Sequence, residues 1–505
     1  MFIKVLLLVI FFAVTIFIGL YFRRHNTNVG SFVLGGRSVG PWLTAFAYGT
    51  SYFSAVVFVG YAGQFGWKFG ISSVWIGIGN AMLGSLLAWV VLGRRTRVMT
   101  RHLSSATMPE FFGKRYDSTG LKIGASVITF IFLVPYTASL YNGLSRLFAM
   151  AFNIDFVYCI IAMAVLTCIY VIAGGYIATA VNDFIQGIIM LGGIVAVIAA
   201  VLKVNGGFLG SIEALAYVSD PAVSSIPGVF ASFFGPDPVS LLGVFVLTSI
   251  GTWGLPQMVQ KFYAIKSEKS ISKGTIISTV FALVISGGCY FLGGFGRLFS
   301  DKVDVAADGF DAIIPAMLSD LSPFLLGVVV LLVLSASMST LSALVMTSSS
   351  TFILDFVKGN LVKKMNDKTQ LLLIRIMIAV FVIISTVIAV VQYRGGISFI
   401  AQLMGISWGA LAGAFLAPFL YGLYWKRATK TAVWFTFLFS SVFMIANIFF
   451  RPFFPAILQS PINAGAFTML TGLITVPLVS LLTKPQSKKR VEEIFSCYNK
   501  SDSLE

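Results

Sequence analysis

The chain has 505 residues, of which 57% are hydrophobic and only 11% are charged. A soluble domain has about 25% charged residues, so this composition excludes a soluble protein and predicts an all-α polytopic membrane protein. The formal net charge of +16 does not indicate a nucleic-acid partner. Most lysines and arginines lie in alternate connections between apolar segments, which is the positive-inside pattern of a protein in a lipid bilayer.

Apolar segments of about 20 residues each predict 13 membrane-spanning helices. We expect them at 2–22, 40–64, 73–93, 120–150, 154–174, 183–204, 237–260, 274–297, 322–356, 370–392, 397–424, 429–450 and 461–482. The basic connections place the N-terminus outside the plasma membrane and the C-terminus in the cytoplasm. The basic tail beyond residue 483 is expected to lie against anionic lipid headgroups.

Two of these predicted helices are interrupted. The second reads TAFAYGTSYFSAVVFVGYAG over 44–63, and the seventh contains GTWGLP over 251–256. Glycines loosen a helix and proline removes a backbone donor. In transporters built from inverted repeats, interrupted helices at corresponding positions line the binding cavity. The two interruptions are five helices apart, which predicts a repeat of helices 2–6 against helices 7–11, although kinked helices without a ligand would give the same pattern.

The ninth predicted helix is unusually rich in hydroxyl groups, with ten Ser and Thr residues between Ser335 and Thr351. Ser335, Ser339 and Ser342 are spaced to share one helix face, and Thr340 lies beside them. Uncharged oxygens suit a monovalent cation that must bind and then leave. The alternative is that these hydroxyls bond carbonyls of their own helix or join neighbouring helices.

Five segments together resemble the sodium:solute symporter family, and in particular its proline and pantothenate symporter branch. They are LGGRSVG with TSYFSAVVFVGYAG (34–40 and 50–63), GGYIATAVNDFIQ (174–186), GLPQ with KFYAIKSEKS (254–257 and 261–270), ASMSTLSA (336–343) and GALAGAFLAPFLYGLYWKR (409–427). The resemblance implies one transmembrane domain with a five-plus-five inverted repeat, whose first and sixth repeat helices are discontinuous. Its expected parts are a leading helix (2–22), a first repeat (40–204), a second repeat (237–424), two trailing helices (429–482) and a cytoplasmic tail (483–505).

The resemblance also implies a sodium site made of backbone carbonyls and hydroxyl groups. The residues that match it are Thr50, Phe53, Ala336, Ser339 and Thr340. Asp183 and Ser342 match groups linked to sodium coupling, or to a second sodium ion in some relatives. Because Ala343 stands where those relatives carry another hydroxyl, we expect one sodium per cycle. Asp183 could instead cap the N-terminus of the sixth helix.

The solute is expected between the two interrupted helices and the fourth helix. The candidate contacts are Ser51, Tyr52, Ser54, Tyr136, Thr252, Trp253 and Pro256. Aromatic and hydroxyl groups suit a small, partly apolar solute, such as proline or a monocarboxylic acid resembling pantothenate, and the resemblance disfavours a sugar. Tyr136 and Trp253 could equally be packing aromatics.

These features predict a sodium-coupled secondary active symporter that imports a small organic solute, and not an enzyme. The two histidines, His25 and His102, fall in predicted cytoplasmic loops, away from any catalytic group in the membrane. The four cysteines have no spacing typical of a disulfide framework or metal site. A proton-coupled transporter, in which Asp183 titrates, is the main alternative, and a channel or sensor on the same scaffold is a weaker one.

Overall fold

The computed structural model describes residues 2–23, 28–204, 206–358, 360–362, 364–394 and 400–501. Within these ranges the chain is helical and forms no β-strand. Three parts of the predictions lie outside the described residues: His25, the start of the eleventh predicted helix at 397–399, and the last four residues of the tail.

The described chain contains 21 α-helices joined by short turns of 3₁₀- and π-helix. The α-helices are α1 (Phe2–Phe22), α2 (Val29–Leu34), α3 (Pro41–Tyr52), α4 (Ala62–Phe69), α5 (Val74–Gly79), α6 (Arg94–His102), α7 (Met108–Arg115), α8 (Thr119–Phe152), α9 (Phe156–Val204), α10 (Gly207–Ala216), α11 (Pro238–Ile250), α12 (Pro256–Ala264), α13 (Lys269–Gly293), α14 (Val305–Asp308), α15 (Ile313–Leu318), α16 (Pro323–Thr351), α17 (Asp367–Arg394), α18 (Ile400–Tyr424), α19 (Lys430–Phe449), α20 (Pro461–Leu482) and α21 (Lys488–Ser501). The π-helical turns are Val56–Tyr61, Asn80–Leu87, Trp89–Gly93 and Phe352–Val357.

Ten helical runs in the described part of the chain are long and apolar enough to cross a membrane, or eleven if the bent pair Pro238–Gly254 and Pro256–Ala264 counts as one. Two of these runs, Val56–His102 and Phe156–Lys203, have 47 and 48 residues. A bilayer core needs only about 20 helical residues, so each is too long for one straight crossing. The second run is interrupted at Gly175, whose φ of +59° is a conformation that favours glycine.

Both predicted helix interruptions are present. α3 ends at Tyr52, Phe53 adopts an extended conformation with φ −105° and ψ 105°, and the chain resumes as the π-helical turn Val56–Tyr61. The second interruption is a 3₁₀ turn at Gly251–Gly254, followed by Leu255 in an extended conformation. A residue before proline avoids the helical region, and a proline in the first turn needs no intrahelical donor, so Pro256 starts α12.

The hydroxyl-rich helix α16 lies in the centre of the molecule. All of its residues from 332 to 351 are buried, and it packs against α8, α9, α3 and α17. On the other side of the bundle, α18 packs against α8, α19 and α20. Small residues permit the close packing of α18 against α20, because a Cβ atom at Gly409 would lie only 2.7 Å from the Cα atom of Gly465. This is typical of helix contacts in membranes.

Residues Lys488–Ser501 of the tail form the helix α21, which packs against the rest of the protein. It contacts α6, and its Tyr498 ring lies 4.5 Å from the Arg95 guanidinium, whose other neighbour is the Tyr424 ring at 4.1 Å. The Phe495 ring lies 5.0 Å from the Arg115 guanidinium. The protein covers the apolar face of α21, while Lys488 and Lys489 are exposed, so the contact of the basic residues with lipid headgroups stays a prediction.

Candidate functional site

The first helix interruption meets α16 at a cluster of buried oxygen atoms. The hydroxyls of Ser339 and Thr340 both donate to the Thr50 carbonyl, at 3.0 and 3.1 Å. Each hydroxyl also lies within hydrogen-bond distance of the Ala336 carbonyl, at 3.2 and 3.0 Å. Phe53 and Ala336 line the same narrow cavity beside this cluster. The structure thus brings Thr50, Ala336, Ser339 and Thr340 into contact and places Phe53 next to them.

The interruption explains why the Thr50 carbonyl is available. A helix leaves the carbonyls of its last turn without intrahelical donors, and α3 ends two residues after Thr50. The Thr50 hydroxyl donates to the Phe46 carbonyl at 2.8 Å. The partners of the Thr50 carbonyl are therefore the two α16 hydroxyls. Hydroxyl groups can rotate and present lone pairs instead of protons. The cluster can therefore offer neutral oxygen ligands to a monovalent cation.

Asp183 lies in the interior of α9 and is paired with a residue that the sequence reasoning placed in a loop. Its carboxylate Oδ2 is 4.0 Å from Lys261 Nζ, and both side chains are almost fully buried. The ammonium group is also 5.3 Å from the Tyr176 ring. The seventh predicted helix ends at 260, which puts Lys261 in the connection that follows, but Lys261 belongs to α12 inside the protein. Its apolar neighbours Phe262 and Tyr263 were the signal for burial.

Several buried polar groups around the Asp183–Lys261 pair have no hydrogen-bond partner. Neither Asp183 oxygen has a hydrogen-bond partner, and the amides of Gln186 and Gln257, on the same two helices, are also buried without partners. The Ser342 hydroxyl donates to the Ser339 carbonyl of its own helix at 2.8 Å, and its oxygen lone pairs stay available. A buried polar group without a partner is costly, so this region is a candidate place for an ion, a proton or water.

Three of the predicted solute contacts are instead bonded to backbone carbonyls. The Tyr52 hydroxyl donates to Thr248 at 2.5 Å, and the Thr252 hydroxyl donates to Ser249 at 3.0 Å. The Trp253 indole N–H donates to Leu83, also at 3.0 Å. Pro256 begins α12. In this conformation the donated bonds hold the second interruption in place, and the hydroxyl oxygens of Tyr52 and Thr252 can still accept a hydrogen bond from a solute.

Other polar groups near the interruptions have no partner. The Ser51 hydroxyl, the Tyr136 hydroxyl and the Trp408 indole N–H are all buried without a hydrogen bond. The Tyr136 ring lies edge-on to Trp408 at 6.0 Å, and the Tyr136 hydroxyl has the polar groups of Ser54 and Trp408 beside it. The Ser54 hydroxyl accepts from the Val56 N–H at 3.3 Å. These groups are the stronger candidates for solute contacts.

Trp408 was missed by the sequence reasoning. It lies in α18 among small residues, in the segment SWGALAG, and its ring is also 6.0 Å from that of Tyr52. Trp408 is the one tryptophan of α18 and is followed directly by small residues, which is a detectable signal. The fold was needed to place it beside the first interruption.

A bundle of ten or eleven apolar spans, with two broken helices and a buried oxygen cluster at one break, defines a polytopic membrane transporter. No group of three or more His, Cys, Asp or Glu side chains suited to a metal ion is present in the ranges that the structure describes. The family model of the sodium:solute symporter family matches residues 32–438. The chain belongs to this family, as the sequence motifs predicted.

Related proteins agree with this assignment. The chain is 28% identical over 435 residues to sodium/proline symporter 2 of Staphylococcus saprophyticus and 29% identical over 436 residues to the sodium/proline symporter of Staphylococcus aureus. Both alignments cover 84% of this chain and 82% of the relative. The fold is similar to that of a Na⁺-coupled sialic acid symporter in a substrate-bound outward-open state, with a TM-score of 0.74 at 17% identity over 97% of this chain and 99% of the other.

Proposed function

We propose that the chain imports a small organic solute across the plasma membrane by alternating access, driven by sodium. The solute is an amino acid such as proline, or a monocarboxylic acid resembling pantothenate. The observation that carries this proposal is the pair of hydrogen bonds from Ser339 and Thr340 to the Thr50 carbonyl. The names of the similar sodium/proline symporters support an amino-acid solute.

The proposed architecture has 13 membrane-spanning helices: a leading helix, a five-plus-five inverted repeat and two trailing helices. The break at Gly175 supports dividing α9 into two crossings. Gly70, with a φ of +65°, similarly separates the end of the first repeat helix from the second. The N-terminus is outside and the C-terminus is in the cytoplasm, following the distribution of basic residues.

In the proposed mechanism, sodium is held by the carbonyls of Thr50, Phe53 and Ala336 and the hydroxyls of Ser339 and Thr340. The ion joins the broken helix to α16 and orients Ser51 toward the solute. Binding is reciprocal, so the solute must raise sodium affinity by the factor by which sodium raises solute affinity. One sodium ion moving down 100 mV contributes about 2.3 kcal/mol, which supports a solute gradient of roughly fiftyfold.

One sodium ion per cycle is proposed. Lys261 already provides a positive charge 4.0 Å from Asp183, and Ala343 lacks the hydroxyl that a second ion would use. If the solute carries a carboxylate, helix ends at the interruptions and the sodium ion itself would neutralise it.

The direct test is uptake into proteoliposomes loaded with potassium and diluted into sodium or potassium buffer, with labelled proline and pantothenate as probes. We expect Ser339→Ala combined with Thr340→Ala to abolish the sodium stimulation. Ser337→Ala is the matched control, because that hydroxyl is buried in the same helix but bonds only its own Val333 carbonyl at 2.7 Å. Equal sodium dependence in the double variant and the control would reject the site.

A proton-coupled transporter is the second candidate, favoured by the buried carboxylate of Asp183 without hydrogen-bond donors. The two mechanisms separate in sodium-free buffer with an imposed pH gradient. Uptake under those conditions, lost in Asp183→Asn, would favour protons. Uptake only with sodium would favour the ion site at Thr50.

A further inference from the structure

A cavity lined by several charged side chains lies where α4 ends and α11 begins, which are the ends of the two broken helices away from the interruptions. Its volume is about 690 Å³, and its lining includes Gln64 and Lys68 from α4, Ser240 from α11, Arg297, and Arg451 between α19 and α20. Cavities that bind small molecules commonly measure roughly 300–1,000 Å³. We call it the vestibule.

The vestibule is distinct from the site at the helix interruptions. Lys68 is fourteen residues beyond Ser54 along one broken helix, and Gly251 is thirteen residues beyond Pro238 along the other. At 1.5 Å per helical residue, the charged lining residues of these two helices lie about 20 Å from the interruptions, and Gln64, ten residues beyond Ser54, lies about 15 Å away. A solute the size of an amino acid cannot touch both places, so any binding in the vestibule is a separate event.

The vestibule has an excess of unpaired positive charge. Arg297 is neutralised by Asp220, with Nη1 and Oδ2 2.9 Å apart. Asp237 caps α11, where its Oδ1 accepts from the Ser240 N–H at 3.0 Å, and its negative charge also acts on Lys68. Lys68 and Arg451 are exposed, and neither has a carboxylate within 4 Å in the described part of the chain. Three lining cations, Lys68, Arg297 and Arg451, stand against two lining carboxylates, Asp220 and Asp237, so one positive charge remains to receive an anion.

A buried amide adds a second, independent sign of a ligand. Gln64 lines the vestibule and is only 4% exposed, yet its side-chain oxygen has no hydrogen-bond partner. Leaving a buried amide unsatisfied costs free energy. A solute that fills this part of the cavity and bonds the amide would recover that cost, and an apolar solute would not.

We propose that the vestibule is a first binding site for solutes that carry a carboxylate. The carboxylate lies between Lys68 and Arg451, since arginine can bind it through two parallel hydrogen bonds, and Gln64 bonds the polar remainder of the solute. The site selects an amino acid or monocarboxylate over a neutral sugar before the solute reaches the interruptions. This inference rests on the proposed import of an organic solute and adds its chemical class and a capture step.

The test is equilibrium binding to the purified full-length protein in sodium-free choline buffer, with two probes that differ in the carboxylate. They are pantothenate and panthenol, in which a neutral alcohol replaces the carboxylate, and proline serves as a third ligand. We expect pantothenate and proline to bind and panthenol not to bind. Lys68→Met combined with Arg451→Gln should weaken carboxylate binding about tenfold, whereas Lys68→Arg combined with Arg451→Lys should retain it.

Lys203→Met is the control for net charge, because Lys203 is exposed at the end of α9 and does not line the vestibule. Unfolding temperatures of all variants check that they fold. The proposal is overturned if no carboxylate binds without sodium, if panthenol binds as tightly as pantothenate, or if the Lys68 and Arg451 double variant binds like the wild type. Failure of the proposed function would be seen in the proteoliposome experiment, as wild-type uptake that does not respond to sodium.

Discussion

Removing one member of the Asp183–Lys261 pair should destabilise the protein far more than removing both. The ammonium and carboxylate are 4.0 Å apart and almost fully buried. With an effective dielectric constant near 20, their attraction is about 4 kcal/mol. The relevant variants are Asp183→Asn, Lys261→Met and the combination of the two.

Each single variant leaves one charge buried without its partner. Breaking a buried ion pair in this way costs about 3–5 kcal/mol, whereas replacing both groups with neutral ones is often nearly neutral. We therefore expect each single variant to unfold at a clearly lower temperature than the wild type. The double variant should recover most of the loss, giving a coupling energy of about 2–4 kcal/mol.

The assay is unfolding of the purified protein in one detergent at one pH, with the four proteins forming a double-mutant cycle. Sodium-driven uptake is measured on the same four proteins, because stability and coupling are separate readouts. If Asp183 acts in coupling, the double variant is stable but lacks sodium-stimulated uptake. Additive single effects, with a coupling below about 0.5 kcal/mol, would refute the ion pair as a stabilising contact.

Three further predictions concern the candidate solute site, the connection between α14 and α15, and the tail. Tyr136→Phe removes a buried hydroxyl that has no protein partner, so we expect a rise of about three- to tenfold in the KM for the solute. Burial raises the pKa of Asp311 to about 6; the native state therefore binds a proton more tightly than the unfolded state, and stability falls as the pH rises from about 4 to about 6. Asp311→Asn should remove this fall, as measured by unfolding temperature against pH. Phe495→Ala removes the ring that packs on Arg115 and should make trypsin cleave α21 at least several-fold faster.

Each of these predictions has a matched control. Tyr141→Phe removes another buried hydroxyl of α8 without an effect on KM, and Asp301→Asn alters an exposed acid without changing the pH profile. Glu492→Ala changes the exposed face of α21 and should leave its digestion unaltered. An unchanged KM for Tyr136→Phe, parallel pH profiles for Asp311→Asn and the wild type, or equal digestion of the two tail variants would each contradict the corresponding argument.

The sequence predicted the helices and interruptions of the candidate site better than it predicted which side chains pair with each other. The glycines and proline at 251–256 identified the second interruption, because glycine's conformational freedom weakens a helix and proline removes a backbone donor, whatever the tertiary structure. The crowding of hydroxyls in α16 identified the helix that meets the first interruption. The same patterns place Lys261 in a loop, since a lysine beside a predicted helix end is normally exposed. They could not show that Tyr52 and Trp253 donate to the backbone carbonyls of Thr248 and Leu83.

By itself, the sequence determined that the chain is a helical membrane protein, where its helices break and which family it belongs to, because hydropathy, glycine and proline act locally along the chain. Only the tertiary structure decided which polar groups pair. Lys261 meets Asp183, Ser339 and Thr340 meet Thr50, and Trp408 comes beside Tyr136, in each case between helices far apart in sequence. Such contacts depend on how whole helices pack. The local sequence around each of these residues does not indicate which distant residue it will contact.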